Sequence, residues 1–220
     1  VDVEFTVNFR NDSTFFFNLV QCRPLQTRGL GKNIEIPKLD SKEECLFYSE
    51  GNFMGGNLRI PVDKIIFVDI HEYLEMPEQE KYQVARYIGN LNQILKNQNV
   101  LLMGPGRWGT TTPSLGVPVH FTEISHMAAI CEISYQDEGL MPELSYGSHF
   151  FQDLVESGVF YIALFKEQKN VVFHEEMLKK ENLLVNYISE AVDYKKCIQV
   201  LDTKGMELYS DISCQRVFCR

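Results

Sequence analysis

Three residues near the start of the chain, Glu4, Gln21 and Arg23, combine a carboxylate, an amide and a guanidinium. Mg²⁺ takes hard oxygen ligands, which Glu4 and the Gln21 amide oxygen can supply. An arginine forks onto a phosphate through two parallel N–H groups. Together the three suit a nucleotide phosphate and its metal ion. The alternative is a hairpin with ordinary polar residues on its solvent face.

The flanking pattern predicts that these residues meet. Val3, Phe5, Val7 and Phe9 alternate with Glu4, Thr6 and Asn8, the period of a half-buried strand. Residues 14–23 are rich in aromatic and β-branched types and stop at Pro24. Turn formers fill residues 10–14. A four-residue loop over 11–14 pairs Arg10 with Phe15 and, counting back, Glu4 with Gln21. Arg23 then shares their face, because residues two apart in a strand do. Val3, Phe5, Val7 and Phe9 fall on the other face with Phe16, Val20 and Cys22, a side expected to be buried.

A second chemical candidate is Gly104-Pro-Gly-Arg-Trp-Gly109, directly after the apolar run 99–103. Loops at strand ends are favoured places for sites. Here the glycines would admit a ligand to the backbone, Arg107 could bind an anion, Trp108 could stack on a ring, and Thr110, Thr111 and Thr112 add hydroxyls. An ordered loop pinned by Trp108 is the competing reading. Pro113 and Pro118 keep the next segment extended, which leaves no helix N-terminus for phosphate. His149, in the first turn of a helix expected over 148–157, could bind a ligand or move a proton near neutral pH, or simply hydrogen-bond locally.

The remaining elements are those of a layered α+β domain. Residues 77–97 form the clearest helix, with Glu78 and Glu80 at its positive end and a stripe of Val84, Ile88, Leu91 and Leu95. Strands are expected over 45–48, 65–70, 99–103, 128–133 and 159–165, with a helical segment over 174–180. A hairpin is expected from 196–201 and 206–210 across Asp202-Thr-Lys-Gly205, and an edge strand over 214–220. Gly51-Asn-Phe-Met-Gly-Gly-Asn57 lacks the Gly-Lys-Ser/Thr ending of a phosphate loop and reads as a tight turn or bulge. Residues 24–33 look like a linker, which places a boundary between units 1–27 and 28–220.

A net charge of −9 argues against nonspecific nucleic-acid or anionic-membrane binding. No apolar run approaches a membrane span, and no secretory leader opens the chain. The six cysteines contain no Cys-x-x-Cys pair, so a reducing cytoplasm is expected, with Cys22, Cys131 and Cys197 as buried thiols. The chain opens on Val1 in mid-pattern, which suits a piece excised from a longer protein.

Glu-Phe-Thr-Val followed by Val-Gln-Cys-Arg-Pro resembles the end of the ATP-grasp nucleotide-binding domain of the pyruvate phosphate dikinase and phosphoenolpyruvate synthase family, over residues 1–27. The resemblance implies that Glu4 and Gln21 serve the ATP–metal site and that Arg23 contacts nucleotide phosphate. The segments 103–119 and 146–152 resemble a region that follows the ATP-grasp part in bacterial dikinase-like proteins. Ile124-Ser-His-Met-Ala-Ala-Ile130 faintly echoes the phospho-histidine motif of these enzymes, but it lacks the glycines and carries an inserted Met127, so it reads as coincidence. The family implies an ATP-dependent phosphotransferase using ATP and Mg²⁺, with pyruvate or phosphoenolpyruvate as a further small-molecule substrate and an upstream ATP-grasp domain as neighbour. The rival expectation is a noncatalytic accessory module that binds a ligand or docks on its neighbouring domain.

Overall fold

The computed structural model describes residues 2–11, 13–23, 29, 34–134, 145 and 149–220, with the side chains of Asp2, Arg23 and His149 excepted. The fold is mixed α+β, and its main body is built in three layers. It begins apart from that body, with β1 (Asp2–Phe9) and β2 (Phe15–Arg23) pairing as an antiparallel hairpin. Arg10 N–H donates to the Thr14 carbonyl at 2.8 Å and closes the turn, in which Ser13 takes a φ of 66°.

Two strands of the body, β6 (Lys64–Val68) and β7 (Val100–Pro105), are joined by helices α1 (Ile70–Glu75) and α2 (Glu78–Ile94), and they lie parallel. Asp69 caps α1 by accepting from the Glu72 N–H at 3.1 Å. Pro77 is the N-cap of α2, and the expected stripe of Val84, Ile88, Leu91 and Leu95 is fully buried. β10 (Ala129–Ser134) lies parallel to β7, and β11 (Phe160–Phe165) lies parallel to β10 after helix α3 (His149–Glu156), which Gly158 terminates at φ 72°. The edges of this sheet are antiparallel, with β4 (Phe53–Met54) beside β11 and β13 (Ile198–Asp202) beside β6.

A second, antiparallel sheet has the order β12-β3-β15-β14-β5. Its strands are β3 (Phe47–Glu50), β5 (Leu58–Pro61), β12 (Val171–Phe173), β14 (Glu207–Asp211) and β15 (Arg216–Cys219). Odd-numbered residues of β6, β7 and β10, such as Phe67, Met103, Cys131 and Ile133, and the even-numbered Phe160, Ile162 and Leu164 of β11 pack against this sheet. Their alternates, such as Ile66, Leu102 and Ile130, with Tyr161 and Ala163 of β11, pack against α2, α3 and α4 (Leu184–Tyr187). Cover on both faces explains why the parallel strands read as continuous apolar runs.

Several expectations are corrected. The strands flanking Asp202-Thr-Lys-Gly205 do not form a hairpin, because β13 joins the mixed sheet and β14 the antiparallel one. Their connection is an arch between layers, held where the buried Thr203 hydroxyl donates to the Val62 carbonyl and Val62 N–H to the Met206 carbonyl. A local pattern shows the turn but not which sheet each strand joins. The strand near the C-terminus lies inside its sheet, between β3 and β14, and not at an edge. Residues 174–180 contain a short 3₁₀ helix, Glu175–Leu178. Cys131 and Cys197 are buried as expected, but Cys22 is exposed. The expected linker lies outside the described residues except Gly29, which is buried with φ 83°; a Cβ there would stand 2.5 Å from the Asn57 carbonyl oxygen. Among the described residues no helix is long and apolar enough to cross a membrane.

Candidate functional sites

The hairpin brings Glu4 opposite Gln21, as the spacing predicts, by a different route. At the turn Phe9 pairs with Phe15, one residue out from the expected pairing of Arg10 with Phe15. That register persists to Phe5–Leu19, and a shift between Glu4 and Phe5 then skips Val20 and sets Glu4 against Gln21, Val3 against Cys22 and Asp2 against Arg23. One extra residue in one strand is a β-bulge, and it returns the polar residues to one face. That face holds Glu4, Gln21, Thr6, Asn8, Asn18 and Phe16, with the Asn18 amide donating to Thr6 at 3.5 Å and Arg10 stacked 3.9 Å above the Phe16 ring. Phe16 is therefore corrected to the polar face, and Phe15, Phe17 and Leu19 join Val3, Phe5, Val7, Phe9 and Cys22 on the other.

Glu4 is exposed and Gln21 partly buried, so a hydrated cation could reach both. Directly opposed residues in an antiparallel pair have Cβ atoms roughly 5 Å apart, close enough for two side-chain oxygens to share one ion. The donor set fits Mg²⁺ in kind, with two oxygens that could serve among its six ligands. Arg23 falls two residues beyond Gln21 on the same strand; its side chain lies outside the described residues.

Arg107 belongs to a second group, at the carboxyl end of the parallel strands. There β7 runs into β8 (Arg107–Trp108), which pairs with β9 (Gly116–Val117). Trp108 is 1% exposed, so it stacks on no ligand, and that expectation is corrected. Its ring lies over Gly104, where a Cβ would stand 2.7 Å from Cζ2. The loop is held at many points: Gly106 N–H donates to Ile133 O at 3.0 Å, Arg107 N–H to Leu115 O at 3.0 Å, and the buried Tyr73 hydroxyl to Gly116 O at 2.7 Å. The Phe150 ring of α3 covers Gly109, which brings the first turn of α3, and with it His149, beside the loop; the His149 side chain lies outside the described residues.

At the centre of this group is a residue that sequence reasoning missed. Glu132 of β10 is 1% exposed and sits in register with Gly104 of β7 and Ala163 of β11, whose small side chains leave room for it. Its Oε1 accepts from Trp108 N–H at 3.0 Å and from the Ser145 hydroxyl at 2.5 Å. Its Oε2 accepts from Ser145 N–H at 3.2 Å and from the Tyr161 hydroxyl at 2.5 Å. These four bonds occupy the roughly four lone-pair positions of a carboxylate. Burial pushes Glu132 above the ordinary carboxylate range, and the donors from Ser145, Tyr161 and Trp108 pull it back in part. With its acceptors filled, Glu132 holds the Arg107 loop and Ser145 against the sheet. The sequence carried one signal for it: a lone acid in the apolar run 128–134.

The two groups belong to different sheets. Glu4 and Gln21 stand on the hairpin, and Arg107 and His149 at the carboxyl end of the mixed sheet. His126 is exposed and precedes β10, at the amino end of the parallel strands, in an open cleft of about 730 Å³ with Lys96 and Glu156. Among the described residues no three His, Cys, Asp or Glu side chains cluster as a metal site. In comparisons with known proteins, no family model, no curated protein and no solved structure matches this chain.

Proposed function

We propose that this chain supplies part of the Mg²⁺–nucleotide site of an ATP-dependent phosphotransferase similar to phosphoenolpyruvate synthase and pyruvate phosphate dikinase. The observation that carries the reading is the cross-strand pairing of Glu4 with Gln21, reached through a bulge that restores the polar face. In this reading Glu4 and the Gln21 amide oxygen contribute two ligands to Mg²⁺, and Arg23 offsets phosphate charge. The ion, when bound, neutralises charge on the phosphoryl oxygens, and phosphoryl transfer depends chiefly on such positioning and electrostatics. Phosphate oxygens, water and an upstream ATP-grasp domain complete the site. Arg107 and His149 are the candidates for contact with a second anionic substrate such as pyruvate or phosphoenolpyruvate. The reduced thiols at Cys45, Cys131, Cys197 and Cys219 suit a cytoplasmic setting.

A second reading, a noncatalytic module that docks on a neighbouring domain, is favoured by the saturated Glu132 and the buried Trp108, which make the Arg107 loop a rigid structural unit. Titrating the ¹⁵N-labelled chain with Mg²⁺-ATP separates the two. The nucleotide reading expects amide shifts at Glu4, Gln21 and Arg23 that saturate, with Glu4→Ala or Arg23→Ala weakening binding at least ~10-fold, about 1.4 kcal/mol. No response at these amides up to ~10 mM Mg²⁺-ATP, an affinity too weak for specific binding, would overturn it in favour of the docking module.

A further inference from the structure

The apolar face of the hairpin, expected to be buried, is open, with Phe5 55% and Phe9 82% exposed, as no core cluster of the body reaches it. The body carries a more completely built surface, a polar cleft of about 560 Å³ along the outer side of α2. Its floor is the stripe Gln83, Arg86, Asn90 and Gln93, whose spacing of three, four and three residues keeps them on one face. The walls rise on either side of that stripe, beside Gly89 and Tyr87, because a helix turns ~100° per residue. Over Gly89 lies Glu123 of a short 3₁₀ helix, Phe121–Glu123; a Cβ on Gly89 would stand 3.1 Å from Glu123 Cγ, so a glycine lets this wall come close. Asn92, 1% exposed, ties the wall down: its amide donates to Thr122 O at 3.3 Å and its oxygen accepts from His126 N–H at 2.9 Å. On the other side the Tyr87 hydroxyl donates to the Glu190 carbonyl at 3.4 Å, and its ring meets Tyr194 edge-on at 5.1 Å between centroids.

We propose that this cleft binds a small zwitterion, an amino acid or dipeptide with a free ammonium and a free carboxylate. Arg86 and the carboxylates of Glu123 and Glu190 line one space, yet among the described residues Arg86 makes no ion pair with either. The fixed walls hold the opposite charges apart, and a ligand carrying both charges bridges them. Its carboxylate takes the fork of Arg86, and its ammonium faces Glu123 and Glu190. Glu123 Oε2 is held by the His120 N–H at 2.7 Å, and Oε1, against Gly89, takes no hydrogen bond among the described residues. A phosphate or other plain anion meets two carboxylates here, and a plain cation meets Arg86, so neither matches. The amides of Gln83, Asn90 and Gln93, also without partners among the described residues, each offer donors and an acceptor to a peptide bond or a polar side chain. The volume falls in the usual range for small-molecule sites, roughly 300–1,000 Å³. No described hairpin residue lines the cleft, so it is independent of the Glu4 and Gln21 pair.

Titrating the ¹⁵N-labelled chain with L-glutamine, L-lysine and glycylglycine, each to ~10 mM, tests this. At least one of the three is expected to give saturable amide shifts along α2 and at Thr122 and Glu123. The methyl ester and the N-acetyl form of that compound, each lacking one charge, bind at least ~10-fold more weakly. Arg86→Met weakens binding by at least ~10-fold, as does Glu123→Gln, which keeps an oxygen for the His120 N–H. Glu4→Ala leaves it unchanged, which separates this site from the nucleotide reading. No saturable shift with any of the three compounds overturns the proposal. Binding that survives either blocking group, or that Arg86→Met leaves intact, shows that the cleft does not recognise a zwitterion and also overturns it.

Discussion

Glu132 is the residue on which the Arg107 loop depends. Each of its oxygens accepts one backbone N–H, from Trp108 on one side and Ser145 on the other. A glutamine can turn its amide either way and will still face one of those N–H groups with its own NH₂. Glu132→Gln is therefore expected to cost about 1–3 kcal/mol, measured by urea unfolding, although it is nearly isosteric. Its effect also depends on pH. Burial raises the folded-state pKa of Glu132 above the ordinary 4.5, so the folded chain holds this proton more tightly than the unfolded one. The stability this group contributes is full below pH 4.5 and is lost as pH rises through the raised folded value. The stability gap between the native chain and Glu132→Gln should narrow over that interval. A gap that widens with rising pH would show that the hydrogen bonds, not burial, set the ionisation. A lone acid among apolar neighbours was visible in residues 128–134, but its donors come from three separate stretches of chain, which no local pattern links.

At the scale of elements, amphipathic periodicity was a dependable guide where one face meets a single neighbour. The stripe of α2 is buried as spaced, and Pro77 and the acidic first turn mark its start. It failed where two sheets compete for successive strands, as at the arch after Asp202. The junction of β7 and its loop rests on Gly104, whose missing side chain makes room for the Trp108 ring. Gly104→Ala is expected to destabilise by about 1–3 kcal/mol through overpacking, since ring and strand are both fixed. Trp108 is the sole tryptophan, so its emission reports the change directly: a red shift in the folded state indicates a displaced ring, and an unchanged spectrum with unchanged stability counts against the packing account.

At the scale of the whole molecule, no described residue of the hairpin belongs to a core cluster of the body. The buried members of the three core clusters all fall between Cys45 and Cys219. Removing residues 1–23 should therefore leave the thermal midpoint of the body within about 2 °C, well under the shift that follows loss of 1 kcal/mol in a chain of this size. A larger fall, measured by calorimetry, would mean that the hairpin packs on the body in solution. The sequence by itself determined most of the elements, because strand alternation and helical stripes are local consequences of backbone geometry. It placed the Arg107 loop at a strand end for the same reason. It missed the hairpin register, and a bulge at Val20 brings Glu4 opposite Gln21. Only the tertiary structure decided which sheet each strand joins, that Trp108 is buried and Glu132 saturated, and that the apolar face of the hairpin lies open. Those depend on contacts between distant segments, where burial is shared among layers and no single segment carries the information.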